Sequence, residues 1–84
     1  MEPVKVLLFG PLRDIAGWRE RIVSPDIKDI GALRAYLAKE DPALGAALSA
    51  PGVQVAMNQM IVRGDPSFSA GGVEIAFLPP MSGG

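Results

Sequence analysis

Two stretches, VKVLLFGP at residues 4–11 and VEIAFLPP at residues 73–80, decide the fold between them. Each is a nearly unbroken apolar run closed by Gly-Pro or Pro-Pro, too short for a buried helix and of the right length for a strand. Such runs are expected to be covered on both faces, so they belong at the centre of a sheet. They are the two most apolar strand candidates in the chain, and we place them side by side and parallel. Pro79-Pro80 ends the second run, because proline has no N–H to give to a ladder.

Working outward, Pro11 suits the first position of a short helix through Leu12, Arg13, Asp14 and Ile15, with Gly17 ending it. Residues 18–23, WRERIV, mix charged and apolar side chains as a second strand with one wet face, and Ser24-Pro25-Asp26 is a turn. Asp29 is placed to cap the free N–H groups of a helix in which Ile30, Leu33 and Leu37 recur at i, i+3 and i+7. Pro42 stops that main helix, and residues 42–48 read as a second short helix before Pro51-Gly52. Residues 53–57 and 60–62 flank Asn58-Gln59 as two short strands and a tight turn. Arg63-Gly64-Asp65-Pro66 is a loop and Gly71-Gly72 another turn. This order predicts an α+β architecture: a mixed sheet wrapped around one main helix, the β-grasp arrangement. The domain is expected over residues 1–78, with residues 79–84 as an extended C-terminal tail.

The composition removes most chemistry from this chain. At 84 residues it holds one domain with a modest core, and 49% hydrophobic content is enough to fold it. There is no Cys and no His, so disulfides, Cys/His zinc sites, thiol nucleophiles, imidazole bases and side-chain persulfides are all excluded. The carboxylates are scattered, and no acid/base pair stands out. A net charge of −1 argues against nucleic acid as a partner. No apolar run approaches the ~18–20 residues of a membrane span, and the N-terminal apolar stretch is too short for a secretory signal, so a cytoplasmic protein is expected.

The C-terminal segment is unusual. Its last 19 residues carry one charged side chain, Glu74, and end in Pro79-Pro80-Met81-Ser82-Gly83-Gly84. Two prolines favour an extended course, and at ~3.1–3.6 Å per residue the six residues after Leu78 reach roughly 20 Å. Gly83-Gly84 gives that arm a tip without side chains, able to enter a narrow channel in another protein and be approached from either face. The terminal carboxylate is then the candidate reactive group, and as a poor acyl donor it needs activation by another enzyme. The competing reading is a frayed end, since termini are commonly rich in small residues.

Four pieces of the chain, in order, resemble the ubiquitin-like sulfur carriers of the molybdopterin synthase small-subunit (MoaD) type. VKVLLFGPLRDIAG is similar to that family's opening strand and its Phe-x-x-x-Arg-[Glu/Asp]-x-x-Gly signature, here Phe9, Arg13, Asp14 and Gly17. ALRAYL at residues 32–37 resembles the start of the family's helix, and VAMNQMIV at residues 55–62 its Val-Asn-Gln hairpin. GGVEIAFLPPMSGG resembles its ending, a Pro-Pro-x-[Ser/Thr]-Gly-Gly tail. Met57 stands where the family usually has a smaller aliphatic residue, and Gly72 where many members have an acidic turn residue.

The resemblance implies a β-grasp fold and a chain that is not an enzyme on its own and binds no cofactor. An E1-like activating enzyme using ATP and Mg²⁺ adenylates Gly84, and a sulfur-donor system converts the adenylate to a thiocarboxylate. Two carriers flank a dimer of the synthase large subunit in a heterotetramer, where the tail delivers sulfur to cyclic pyranopterin monophosphate. Gly84 carries the sulfur, and Gly83 keeps the channel passage unobstructed. Phe9, Ile61 and Leu78 fall where the family places apolar residues on the partner-binding sheet face, followed by Pro79, Pro80, Met81 and Ser82 of the tail. Ordinary core packing is the alternative for the first three, because strand periodicity does not say which face is covered. Arg13 and Asp14 either rim the interface or form a surface salt bridge. The same fold and terminus also suit a carrier for tRNA thiolation, thiazole or cysteine synthesis, and a ubiquitin-like protein modifier. A non-covalent interaction module is the remaining reading. Thiazole carriers are usually shorter and lack the Arg13-Asp14 segment.

Overall fold

The computed structural model describes residues 4–23, 26–64, 66–67 and 73–80. Among them the chain runs β1 (Val4–Leu8), α1 (Pro11–Ala16), β2 (Glu20–Val23), α2 (Ile30–Glu40), α3 (Pro42–Leu48), β3 (Gln54–Met57), β4 (Met60–Val62) and β5 (Glu74–Leu78). The sheet order is β2-β1-β5-β3-β4. β1 and β5 are parallel neighbours at its centre, in the register Leu8 opposite Phe77, as their matched apolar content predicts. The flanking pairs β1–β2, β3–β5 and β3–β4 are antiparallel, so the sheet is mixed.

One face of this sheet carries the core. Val4, Val6 and Leu8 of β1, Val23 of β2, Val55 of β3, and Ile75 and Phe77 of β5 form one buried cluster with Leu12 of α1, Ile30, Leu33 and Leu37 of α2, and Leu44 and Leu48 of α3. Each such side chain contributes about 1.5–3 kcal/mol when fully removed from water. The expectation of burial on both faces is corrected for β1. Lys5 and Leu7 alternate with its buried valines and are only half-buried, because the described helices pack on one side of the sheet alone. In β5, Ala76 is buried as well as Ile75 and Phe77.

The helix boundaries follow the side chains that set them. Asp29 caps α2 by accepting a hydrogen bond from the Ala32 N–H at 2.6 Å. Asp41 serves both helices at their junction: its N–H donates to the Leu37 carbonyl, closing α2, and its side chain accepts from the Leu44 N–H at 3.2 Å, opening α3. β2 begins at Glu20 rather than at residue 18, although the Leu8 N–H still reaches the Arg19 carbonyl at 2.9 Å. Trp18 instead packs against the core, with the Arg21 guanidinium 5.7 Å over its ring. β3 begins at Gln54, since the Val53 N–H turns back to the Ala50 carbonyl.

Asn58 and Gln59 adopt φ of 50° and 72°, the paired positive values of a tight hairpin turn between Met57 and Met60. Asn58 also ties this hairpin to β5: its N–H donates to the Glu74 carbonyl at 2.8 Å, and its Oδ1 accepts from the Glu74 N–H at 2.9 Å. The expected turns at Ser24-Pro25 and Gly71-Gly72 lie outside the described residues. No helix among those described is long and apolar enough to cross a membrane.

The edge strand β2 is held to α2 by an ion pair, Arg21 Nη1 to Glu40 Oε1 at 2.6 Å. The hydrogen bond from Arg21 is the main cause that lowers the Glu40 carboxyl below the ordinary carboxylate range, with a second from Tyr36 adding to it. A depressed folded-state pKa stabilises the fold above the unfolded carboxylate pKa, and that contribution disappears as pH falls through the folded value. Both side chains are half-exposed, so the effect is small. Glu40→Gln is expected to lower Tm slightly at pH 7, with the gap to wild type closing as thermal unfolding is repeated toward pH 3. A gap that persists unchanged in acid would show that the pair is not its source.

Candidate functional site

The strand register determines where the C-terminal segment leaves the fold. β5 ends between its two neighbours, with Leu8 of β1 opposite Phe77 on one side and Gln54 of β3 opposite Leu78 on the other. Pro79 and Pro80 follow immediately, Pro79 half-buried and Pro80 exposed. The remaining tail residues assigned from sequence, Met81, Ser82, Gly83 and Gly84, lie outside the described residues.

The sheet face turned away from the helices is largely apolar. Register sets Leu7, Ala76, Ala56 and Ile61 in one row across four strands. The two alanines at its centre are nearly covered, at 7% and 8% exposure, and leave the middle of the face flat. Around them stand larger side chains: Phe9 is 43% exposed, Ile61 53% and Ile22 54%, while Leu78 is half-buried. The alternation that buries Leu8 and Phe77 turns Leu7 and Leu78 to this face, and Phe9 is exposed just beyond Leu7. Phe9 and Ile61 are thus surface residues rather than core.

Charge borders the row on one side. Lys5 lies opposite both Ile22 and Glu74, and its Nζ is 3.8 Å from Glu20 Oε2. Arg13 is exposed on α1 and, with Leu7, Phe9 and Arg19, lines a depression beside the end of β1. The salt-bridge reading of Arg13 and Asp14 fails among the described residues, where neither carries an ion pair. A second depression lies along Gln54, Ile61 and Arg63.

Among the described residues no group of three acidic side chains could hold a metal ion. Arg21 and Glu40 shift each other's acidity, the arginine upward and the carboxyl downward, through the hydrogen bond of the β2–α2 ion pair. What the arrangement offers is an apolar, flat-centred surface that ends where the C-terminal segment departs. Sequence reasoning missed Ile22 and Met60, exposed at 54% and 72%. The parity of Ile22 against Val23 was the available signal, whereas Met60 owes its exposure to the short edge strand.

Comparison with known proteins places this geometry. The molybdopterin synthase sulfur carrier subunit of Escherichia coli (strain K12) is 33% identical over 81 residues, covering 96% of this chain and 99% of that protein. The crystal structure of small archaeal modifier protein 1 (SAMP1) from Haloferax volcanii superposes with a TM-score of 0.81 at 27% identity, covering 98% of this chain and 99% of that one. The solution structure of the small archaeal modifier protein 1 from Methanosarcina acetivorans gives 0.79 at 29% identity, covering 100% and 98%. These neighbours share the β-grasp architecture, and the ThiS family profile matches residues 6–84, from the first central strand through the terminal glycines. The chain belongs to the ThiS family, and the MoaD-type, ubiquitin-like resemblance carried by its four motifs holds.

Proposed function

We propose that this chain is the sulfur-carrying small subunit of a molybdopterin synthase. The observation that carries the reading is similarity to the Escherichia coli sulfur carrier subunit over 96% of this chain and 99% of that protein, beside a family match that runs through Gly83-Gly84. The Gly84 carboxylate attacks the α-phosphorus of ATP on an activating enzyme, giving an acyl-adenylate and releasing pyrophosphate. Sulfide equivalents from a sulfur donor then attack the acyl carbon and expel AMP, leaving a terminal thiocarboxylate. With no Cys or His in the chain, the terminus is the one place for the sulfur. In the large subunit's active site the thiocarboxylate sulfur displaces an oxygen substituent from a carbon of cyclic pyranopterin monophosphate, forming a thioester, and hydrolysis by water leaves the sulfur on the pterin and returns Gly84 as a carboxylate. We assign the acid/base groups for this step to the large subunit, because this chain has no His or Cys and its carboxylates are scattered along the sequence.

Phe9, Ile61 and Leu78 supply apolar contact to both partners, with Arg13 at the rim. The experiment is mass spectrometry of the protein after incubation with a cognate activating enzyme, MgATP and a sulfide donor. An oxygen-to-sulfur exchange at the C-terminus is expected, and the product should convert the pyranopterin precursor when mixed with the large subunit. Absence of the exchange with a partner active on its own carrier would refute the reading. In the same assay Phe9→Glu is expected to weaken association with the large subunit by about tenfold or more, since it puts a charge into an apolar contact. Unaltered affinity would remove Phe9 from the interface.

Likeness to two small archaeal modifier proteins favours one second reading, attachment of Gly84 to lysines of target proteins. Isopeptide-linked Gly84 on cellular proteins would establish it, and a thorough search finding none would dismiss it.

A further inference from the structure

The prolines that begin the tail do not leave the sheet into open space. Continuing the β1–β5 register by two residues brings Gly10 level with Pro79, and continuing the β3–β5 register by two brings Gly52 level with Pro80. Both glycines sit in turns with positive φ, 58° at Gly10 between β1 and α1 and 90° at Gly52 between α3 and β3. A Cβ on Gly10 would meet Pro79 Cγ at 3.0 Å, and one on Gly52 would meet Pro80 Cβ at 2.9 Å and Pro80 Cα at 3.5 Å. The three nearest atoms to the Cβ added at Gly10 all belong to Pro79, and the three nearest at Gly52 all belong to Pro80. Two turns from distant parts of the sequence therefore close on the same dipeptide from opposite sides.

We infer that Gly10 and Gly52 form a two-sided guide that sets the direction in which the C-terminal segment leaves the fold, and that they are positioning residues for the reactive terminus. The inference rests on the proposed role of Gly84. Rings with fixed φ at Pro79 and Pro80, held between close backbones, leave few exit directions. The guide then orders the start of the tail before any partner binds, which lowers the conformational entropy lost when the tail enters a channel. Direction also matters through leverage. For a four-residue extended segment of about 14 Å, a 20° change at its base moves the far end by about 5 Å. A displacement of that size makes the tip miss a narrow channel mouth more often, a loss of productive binding rather than of the chemical step.

Gly52→Ala provides the test, with Gly64→Ala as its control. Gly64 also has positive φ, 73°, but an added Cβ there meets nothing within 4 Å. The two variants therefore carry comparable backbone strain, and only Gly52→Ala must in addition displace Pro80. In steady-state activation by the cognate enzyme, Gly52→Ala is expected to raise KM about tenfold, equivalent to about 1.4 kcal/mol and to ordering about one backbone residue. kcat should change little, because Gly84 and its chemistry are untouched. Gly64→Ala should leave KM as in wild type. Pro80→Gly, which keeps both turns and removes the guided ring, should reproduce the KM increase should Gly52→Ala fold poorly. Equal KM for Gly52→Ala, Pro80→Gly and Gly64→Ala would overturn the guide. If the wild-type protein is not activated at all, the proposed function fails, and the guide is judged in the free protein by nuclear Overhauser contacts between Gly52 and Pro80. Their presence in wild type and loss in Gly52→Ala supports it; their absence in wild type rejects it.

Discussion

Gly45→Ala is expected to destabilise the domain by about 2 kcal/mol, although the same exchange stabilises an ordinary helix interior by about 1 kcal/mol. Gly45 is buried in α3 where that helix crosses α2. A Cβ added there would overlap the Ala38 Cβ and lie 2.6 Å from the Ala38 Cα. The obstacle is backbone and the first side-chain carbon, neither of which can rotate aside, so the helices must separate. Overpacking of this kind costs about 1–3 kcal/mol and sometimes more, which outweighs the propensity gain. A domain of this size is stable by only about 0.05–0.15 kcal/mol per residue, so the loss is a substantial fraction of the total. Thermal unfolding should show Tm lower by about 8–16 °C. Adding Ala38→Gly to Gly45→Ala exchanges the two residues' sizes and should recover part of the loss, a favourable coupling of a kind that only contacting residues show. An unchanged or raised Tm in Gly45→Ala would mean that α2 and α3 are not in the close contact described.

The reason Gly45 escaped sequence reading applies to other features. PALGAAL at residues 42–48 reads correctly as a short helix, and a glycine within it looks like a weak point. Its value depends on Ala38, seven positions earlier and on another helix, and thus on a crossing geometry that no local pattern encodes. Features set within a few residues were legible: the Asp29 cap, the Ile30–Leu33–Leu37 stripe, the Pro42 stop and the Asn58-Gln59 turn all occur as expected. The parallel pairing of β1 with β5 was legible too, because both strands are far more apolar than the rest. β1 misled in one respect. The run reads as covered on both faces, yet Leu7 is only half-buried, and Phe9, for which a partner face and core packing both stood open, is exposed on the uncovered side of the sheet. An apolar surface patch and a buried run look the same in sequence.

The functional region divides along the same line. The proposed chemistry rests on features legible in the sequence, Gly83-Gly84 in a chain without Cys or His. The geometry at the base of the tail is not legible there, because Gly10, Gly52, Pro79 and Pro80 come together only through the registers of three strands. Topology itself brings this about. A C-terminal strand with one parallel and one antiparallel neighbour ends beside the turn that follows the first and the turn that precedes the second. A central position for β5 thus places the exit between two loops, and glycines in both allow the chain to pass.

Deleting Gly84 is expected to abolish sulfur transfer while leaving Tm unchanged, the largest functional effect foreseen for a single-residue change. The truncated chain still ends in a glycine carboxylate, so the functional group itself survives. What changes is reach, by one residue or about 3.5 Å. Adenylation requires the carboxylate oxygen to come within about 3–3.5 Å of the α-phosphorus in line with the leaving pyrophosphate, and a base anchored at Pro79-Pro80 cannot follow the terminus forward. With ~1 Å of misplacement already costing about a hundredfold, a shortfall of a full residue should leave no measurable thiocarboxylate. A terminal residue contributes little to folding, so thermal unfolding should overlay wild type and separate lost reach from lost structure. Gly84→Ala gives the intermediate case: reach is kept, a methyl group is added at the tip that the proposed channel must admit, and a reduced but detectable yield is expected. Protein conjugation would be lost with the same deletion, so the thiocarboxylate mass signature is the readout that speaks for sulfur transfer itself. Full transfer by the truncated chain would show that the sulfur is not delivered from the Gly84 terminus.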